Sequence, residues 1–328
     1  MNDAGVPLPP AASSALPPAV PLTFGQILDR LFRMMRANLK PFLGIASVPA
    51  GIMTVFYGVM LAGFLLILQP WEHPNPAAMA MKMSGFMAVW FVVYLLFMLV
   101  FALYFPAGIY AALRADTGIT VTVRDAYAKA LQKAGRYIWL MILLGVIVVG
   151  PILVLAAVVG GGMFLAFAGS SHVGSGQLIM IPLIGVFYIG VAIYGILMGL
   201  YLSLAYPACV AEDLAAWTAI RRSFSLTHGA KGRIFLLMLV IYALIYAGML
   251  VVELVLGIVG AMVFLVGLLL HLALNPWGFI GIGLGAILLL AAMFAMMACS
   301  WAGYTATFAL VYRDQRLRME GVAPVLVG

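Results

Sequence analysis

LAAWTAIRRSFSLTHGAKGR, residues Leu214 to Arg233, is a basic segment that lies between two very long apolar runs. Read as a helix, it has an apolar stripe and a polar side, which is typical of a helix that lies flat at a membrane surface. The stripe comprises Trp217, Ile220, Phe224 and Thr227 with His228. The other side holds Thr218, Arg221, Arg222 and Ser225. The segment therefore predicts a surface helix of a membrane protein.

Two other segments have the same plan, and each again runs directly into apolar sequence. In Phe24 to Lys40 the apolar face comprises Phe24, Ile27, Leu28, Leu31 and Met35, and the charged face Asp29, Arg30, Arg33, Arg36 and Lys40. In Val123 to Tyr137 the corresponding faces are Val123, Ala126, Tyr127, Ala130 and Ala134, and Arg124, Lys129, Lys133 and Arg136. We therefore expect an all-α integral membrane protein of three pseudo-repeats, each an amphipathic helix followed by a transmembrane hairpin. The repeats are predicted at about 23–113, 122–211 and 214–312.

The composition excludes a soluble globular domain. Hydrophobic residues make up 66% and charged residues 8% of the 328 residues, whereas ordinary soluble domains carry about 25% charged residues. The net charge of +7 would suit a nucleic-acid partner, but the basic residues cluster beside the ends of the apolar runs, which is typical of contact with anionic lipid. We therefore expect membrane lipids as partners, and no nucleic acid.

Six apolar runs are long enough to cross about 30 Å of hydrocarbon, which takes roughly 20 helical residues. They lie near Pro41–Leu68, Phe86–Leu113, Ile138–Ala168, Leu178–Val210, Ile234–Leu270 and Phe279–Tyr312. Several exceed that length, so tilt, kinks or projecting ends are expected. Residues 1–22, rich in proline and alanine, are expected to form a disordered tail without a signal peptide, and residues 313–328 a C-terminal tail.

The basic residues predict the orientation of the spans. All but one of the 17 lysines and arginines lie in segments that precede the odd-numbered spans or follow the last one. The opposite loops, residues 69–85, 169–177 and 271–278, contain only Lys82. By the positive-inside rule, both termini are then cytoplasmic in a bacterial inner membrane.

A short motif recurs near the end of each predicted hairpin, as Tyr104-Phe105-Pro106-Ala107, Tyr206-Pro207-Ala208 and Tyr304-Thr305-Ala306. A proline inside a helix removes a backbone hydrogen bond, so Pro106 and Pro207 are predicted to kink their helices. The third copy lacks proline and is expected to be the straightest.

Three stretches resemble a known bacterial family. They read FGQILDRLFRMMRANLKPFLGIA, EDLAAWTAIRRSFSLTHGAKGRIF and ATFALVYRDQRLRMEG, and they look like the membrane domain attached to some glycerophosphoryl diester phosphodiesterases and its stand-alone relatives. The resemblance extends from Phe24 to Gly321 and implies a six-helix membrane bundle. The phosphodiesterase barrel itself takes roughly 250 residues with a set of metal ligands, which leaves no room for it beside six spans, so we expect no such activity.

Glu253 is the only ionisable residue in the sequence that lies deep within an apolar run. A carboxylate at the centre of a bilayer costs about 2.5–3.5 kcal/mol, so Glu253 is expected to face the bundle interior or a wet cavity, or to be protonated. One interpretation is a proton, cation or substrate site. The other is a packing hydrogen bond to a residue such as Ser203, Ser300, Tyr304 or Thr305.

Several basic residues are candidates for binding anionic headgroups, because arginine makes bidentate contacts to phosphate. They are Arg30, Arg33, Arg36, Arg221, Arg222, Lys231 and Arg233. The alternative is that they only set the topology. Glu212 and Asp213 are expected to pair with Arg221 and Arg222 and to orient their helix.

Other patterns carry less chemistry. Gly195 with Gly199, Gly281 with Gly285, and the run 160–162 allow close helix approach, within one bundle or between two copies. His73, His172 and His271 are distant in sequence and are not expected to hold a metal. The chain presents neither a nucleophile with a base nor a paired set of carboxylates, so no enzyme and no cofactor is expected.

The sequence therefore favours a non-catalytic membrane module that binds anionic lipid or organises a membrane protein partner, or a second copy, at the cytoplasmic leaflet. The alternative is a transporter or permease for a small or lipid-like substrate, with Glu253 on the route.

Overall fold

The structure, a computed structural model, describes residues 21–67, 76–168, 173–272 and 277–321. Within these ranges the chain is all-α and contains no strand. The helices in chain order are α1 Phe24–Ala37, α2 Leu39–Ile67, α3 Pro76–Asp116, α4 Val123–Gln132, α5 Ala134–Ala168, α6 Val173–Leu202, α7 Ala205–Ala211, α8 Ala216–Thr227, α9 Lys231–Leu272 and α10 Trp277–Glu320.

Six of these segments are long and apolar enough to cross a membrane, which confirms the predicted number of spans. They are α2, α3, α5, α6 together with α7, α9 and α10. Helices α3, α9 and α10 have 41, 42 and 44 residues. Because about 20 residues suffice to cross the hydrocarbon, these helices project beyond it or tilt.

The short helices α1, α4 and α8 directly precede α2, α5 and α9, and local sequence explains where they start and stop. The hydroxyl of Thr23 accepts the Gln26 backbone N–H, and the Gln26 side chain accepts the Thr23 N–H at 2.8 Å, which forms a capping box on α1. Thr122 caps α4 in a similar way through Asp125. Gly229, with φ of 81°, follows the end of α8 in the left-handed conformation that glycine tolerates.

Helix α8 agrees with its predicted faces in part. Its buried residues are Ala216, Ala219, Ile220, Ser223, Leu226 and Thr227, of which Ile220 and Thr227 belong to the predicted apolar stripe. Trp217, which the periodicity placed on that stripe, has 51% of its surface exposed. Ser223 is buried, and its hydroxyl donates to the Tyr201 carbonyl at 2.6 Å and accepts the Leu204 N–H at 3.1 Å. These two hydrogen bonds attach α8 to the end of α6.

The hydrophobic core lies at one end of the bundle. Its buried residues come from α1, the first part of α2, the last part of α3, α4, the start of α5, the end of α6, α7, α8, the start of α9 and the end of α10. Aromatic rings pack at its centre, with Phe101, Phe105 and Trp301 around Tyr104. The opposite halves of the long helices expose large apolar side chains, which suits contact with lipid.

Glycines bring α9 and α10 together far from that core. A Cβ atom on Gly281 would lie 2.6 Å from the Cα of Gly267, and one on Gly285 would lie 2.5 Å from the backbone nitrogen of Phe264. Gly281 and Gly285 therefore serve close packing within one chain. Gly195, Gly199 and the run 160–162 have no atom within 4 Å of such a Cβ.

Parts of both predicted tails pack against the bundle. Helix α10 continues to Glu320, eight residues past the boundary predicted at Tyr312, because its last turns pack against the rest of the bundle rather than enter solvent. At the other terminus, the backbone of Leu22 makes two hydrogen bonds. Its N–H donates to Asp314 at 2.9 Å, and its carbonyl accepts a hydrogen bond from Arg233 at 2.9 Å. Residues 1–20 of the predicted tail lie outside the described ranges.

The two prolines of the recurring motif lie at different positions in their helices. Helix α3 continues through Pro106. The fourth span is interrupted at Ser203 and Leu204, so Pro207 lies in the first turn of α7, where its missing N–H leaves no gap in the hydrogen bonding. The interruption is stabilised by Ser223, since Leu204 donates to its hydroxyl.

Candidate functional site

The end of the bundle that carries α1, α4 and α8, called here the basic end, holds a series of ion pairs. Asp116 terminates α3 with its side chain 4% exposed, and it binds Arg30 of α1 and Arg313 of α10. A second guanidinium nitrogen of Arg30 donates to the Asp116 carbonyl at 3.3 Å. One buried carboxylate therefore joins the first surface helix to the ends of the second and sixth spans.

Asp314 plays the corresponding part in the last hairpin, with its side chain 2% exposed. It pairs with Arg233, at the start of α9, and with Arg318, each at 2.9 Å. It also accepts the Leu22 N–H at 2.9 Å. The carboxylate thus links α9, α10 and the segment that leads into α1.

Glu212 follows α7 and pairs with Arg222 of α8 at 3.0 Å, as expected from the sequence. It also accepts a hydrogen bond from the Tyr312 hydroxyl and lies 3.8 Å from Arg316. Arg222 in turn binds Glu320 at the end of α10. Helix α8 is therefore held by charge to the ends of the fourth and sixth spans.

Asp213 does not pair with Arg221 or Arg222 as expected. Its carboxylate accepts a hydrogen bond from the Lys133 ammonium at 2.6 Å and forms an ion pair with Arg136. Both basic residues lie near the junction of α4 and α5. The hydrogen bond from Lys133, together with that from Arg136, holds the pKa of Asp213 below its usual range. Its φ of 54° is left-handed, which aspartate tolerates better than most residues. This turn aims the carboxylate toward α4 rather than α8.

These contacts divide the residues predicted to bind headgroups. Arg30, Arg222 and Arg233 are engaged by carboxylates of the chain itself. Lys231 donates to the Tyr201 hydroxyl, and its ammonium lies 4.2 Å from the centre of that ring. The exposed members, which have no carboxylate partner among the described residues, are Arg33, Arg36 and Arg221.

Glu253 is exposed, so it is not packed in the bundle interior, one of the settings expected for it. Its neighbours Val251 and Leu254 are 63% and 53% exposed. Within the described part of the chain it makes no hydrogen bond to Ser300 or to Tyr304, which packs instead on Tyr242. Glu253 lies seven residues before Gly260, on the same stripe of α9, but residues 250–255 are exposed on every side, so no neighbouring helix covers this turn.

Two open cavities lie at the basic end, on either side of the loop after α3. The larger, about 700 Å³, lies between α1 and this loop, and its charged lining residues are Asp29, Arg30, Arg33 and Asp116. The smaller, about 410 Å³, lies between α3 and α4, and its charged lining residues are Arg114, Asp125 and Lys129. Glu253 lines neither cavity.

The sequence analysis did not single out Asp116 and Asp314, the most deeply buried carboxylates of this site. A signal for them exists, because an acidic residue closes each hairpin, in Arg114-Ala115-Asp116, Glu212-Asp213 and Arg313-Asp314. Arg114 and Lys129 gave no signal beyond their charge, since only the packing of α4 on α3 brings them to one cavity.

Comparison with models of protein families, with curated proteins and with solved structures finds no match to this chain. The resemblance to the phosphodiesterase-linked membrane domain therefore stays a prediction. Of the three loop histidines, His73 and His172 lie outside the described residues, and His271 lies in the last turn of α9. Within the described ranges, no group of three or more His, Cys, Asp or Glu side chains has the arrangement of a metal site.

Proposed function

We propose that this chain is a non-catalytic module of a bacterial inner membrane whose basic end binds anionic lipid headgroups at the cytoplasmic leaflet. One observation carries the proposal. The carboxylates of Asp116, Glu212, Asp213, Asp314 and Glu320 are turned toward arginines and lysines of the same chain, whereas unpaired basic residues remain on the outside. These exposed cations are available to attract an anionic surface.

The outward cations lie on the surface helices. Arg33 and Arg36 are exposed on α1, Arg124 on α4 and Arg221 on α8. Each basic side chain near an anionic membrane contributes roughly 1 kcal/mol of attraction. Together they support binding to a surface rather than to one small ligand.

Trp217 and Arg221 strengthen the case at α8. Both are exposed, and the guanidinium lies 5.6 Å from the centre of the indole. Tryptophan is enriched at the level of lipid headgroups, where its apolar ring and polar N–H are both accommodated. This pair is suited to anchoring α8 at the interface of the bilayer.

The order of the elements supports a threefold organisation with both termini on the basic side. Each of α1, α4 and α8 is followed by two spans. An even number of spans returns the chain to its starting side, and the positive-inside rule assigns that side to the cytoplasm. The family resemblance and a partner protein or second copy stay part of this proposal.

The competing function, transport with Glu253 on the route, has no structural observation in its favour. Glu253 is exposed among exposed apolar side chains, and it lines neither of the two cavities described above. A transport route requires polar groups at mid-depth that line a shared cavity. We therefore rank headgroup binding first.

Thermal melting in nanodiscs and the amount of co-purified lipid test the proposal. The full chain, reconstituted in nanodiscs of phosphatidylcholine with or without phosphatidylglycerol, is melted thermally, and the lipid that co-purifies from detergent is quantified. We expect phosphatidylglycerol to raise the melting temperature and to be enriched. The combined variant Arg33→Gln, Arg36→Gln and Arg221→Gln should lose most of that enrichment, since three outward charges are removed.

The matched control changes the same positions to lysine, which keeps the charge and should keep the enrichment. Equal behaviour of wild type and the glutamine variant would overturn the proposal. Proton or lipid movement by wild-type proteoliposomes that Glu253→Gln abolishes would instead favour transport.

A further inference from the structure

Arg114 differs from the other half-buried arginines of the basic end. Arg30, Arg136, Arg222, Arg233, Arg313 and Arg316 each pair with a carboxylate. Arg114, close to the end of α3, pairs with none among the described residues, and its buried Nε has no hydrogen-bond partner there. Burying an uncompensated cation is costly, so this position requires an explanation.

Lys129 also lacks a carboxylate partner among the described residues and lines the same 410 Å³ cavity as Arg114. It is half-buried on α4. The guanidinium of Arg114 lies 5.5 Å from the centre of the Tyr110 ring, which also lines this cavity. Two unpaired cations from different helices therefore converge on one opening.

The remaining lining groups suit an anion. Asp125 is the one acidic residue among those that line the cavity, and its carboxylate is exposed and accepts the Thr122 hydroxyl at 2.6 Å. The neutral polar side chains of Thr120 and Gln132 add hydrogen-bond donors. The net charge of the lining is positive.

The neighbouring larger cavity gives the contrast. Its lining carries two acidic and two basic residues, and Arg30 is already bound by Asp116. That cavity has no excess charge to offer an anion, although it has more volume. Charge, rather than size, distinguishes the smaller cavity.

We propose that the cavity between α3 and α4 is a specific site for a phosphate group, held by Arg114 and Lys129. Arginine presents a planar set of donors to phosphate oxygens, and lysine adds a point charge. The cavity is wider than one phosphate and open to the outside, so the group is a phosphate ester or a lipid headgroup that enters from the membrane surface. This site is a more specific form of the proposed headgroup binding. It rests on that proposed function only if the phosphate group belongs to a lipid.

The test uses the full chain and two probes. Inorganic phosphate is titrated into detergent-solubilised protein by calorimetry, and the thermal shift is measured in nanodiscs that contain phosphatidic acid against phosphatidylcholine alone. We expect saturable binding, weakened about tenfold in Lys129→Gln, because one charge-assisted hydrogen bond is lost. Arg114→Lys, which keeps the charge but removes Nε, should weaken it as well.

Arg124→Gln is the matched control, since Arg124 is exposed on the same helix α4 and does not line the cavity. It should change the affinity less than twofold. Saturation by inorganic phosphate would identify a soluble phosphate source, and a response to phosphatidic acid alone would identify a lipid headgroup.

Two outcomes would overturn the site. Equal losses in Lys129→Gln and Arg124→Gln would mean diffuse attraction, with the outward arginines still sufficient for headgroup binding. Wild-type protein that responds to neither probe would also overturn it. In that case the phosphatidylglycerol measurement decides separately whether headgroup binding fails too.

Discussion

Asp116 illustrates what a single residue does in this protein. Its carboxylate is almost fully buried, yet it is stabilised because Arg30 and Arg313 reach it from two other helices. A buried carboxylate left without its charge partners is strongly destabilising, and so is an arginine left without its carboxylate. The residue therefore acts as a link between elements that share no covalent connection nearby.

Asp116→Asn should destabilise the protein, because the shape is kept while the charge that holds two arginines is removed. We expect a loss of about 2 kcal/mol, less than for a fully buried pair because Arg30 is partly exposed. Thermal melting in detergent measures it. The control is Asp29→Asn, since Asp29 is exposed and has no ion pair among the described residues. Equal melting temperatures for the two variants would contradict the linking role of Asp116.

At the scale of elements, the surface helices depend on specific contacts more than on amphipathic periodicity. Helix α8 buries Ser223 and exposes Trp217, because a hydroxyl can satisfy the backbone groups freed where the fourth span is interrupted. Helix α9 meets α10 through Gly260 and Gly267, whereas residues 250–255 of the same helix, Glu253 among them, are exposed on every side. In both helices individual contacts decide which side chains are covered.

Gly285→Ala should separate α9 from α10, because the added Cβ would meet the backbone of Phe264, which cannot rotate away. Overpacking of this kind costs about 1–3 kcal/mol. The matched control is Gly195→Ala, where the added Cβ meets open space. Thermal melting of both variants in the same detergent checks the expectation, and a melting temperature lowered as far by Gly195→Ala would refute it.

At the scale of the whole molecule, packing and charge are concentrated at the same end. The hydrophobic core and the ion pairs of the surface helices both lie at the basic end, while the opposite halves of the long helices present apolar side chains. A membrane supplies the environment that these halves need. The basic end is thus the rigid part on which a binding site can be built.

The sidedness of the molecule is testable by labelling. Arg124→Cys and Lys82→Cys introduce thiols at exposed positions of the two ends. A membrane-impermeant maleimide should label Lys82→Cys in spheroplasts, and Arg124→Cys only in inverted vesicles, because the positive-inside rule predicts that the basic end faces the cytoplasm. The unsubstituted chain reports background labelling of Cys209 and Cys299. The reverse pattern would show that the positive-inside assignment is wrong.

Composition and charge pattern alone were enough to predict the helical class and the six spans, and they predict the side on which the charges lie. These properties depend on local composition, because hydrophobic length and flanking charge act on each segment separately. The candidate headgroup residues followed from charge alone, so the sequence did not distinguish the engaged Arg222 from the exposed Arg221.

Which charges are satisfied depends on the packing of helices against one another. Packing pairs Asp213 with Lys133, leaves Glu253 exposed, and brings Arg114 and Lys129 to one cavity. These outcomes depend on the distances between helices that are far apart in the chain. A charge is compensated or left unpaired by what lies within a few ångströms of it, and those neighbours are set by packing.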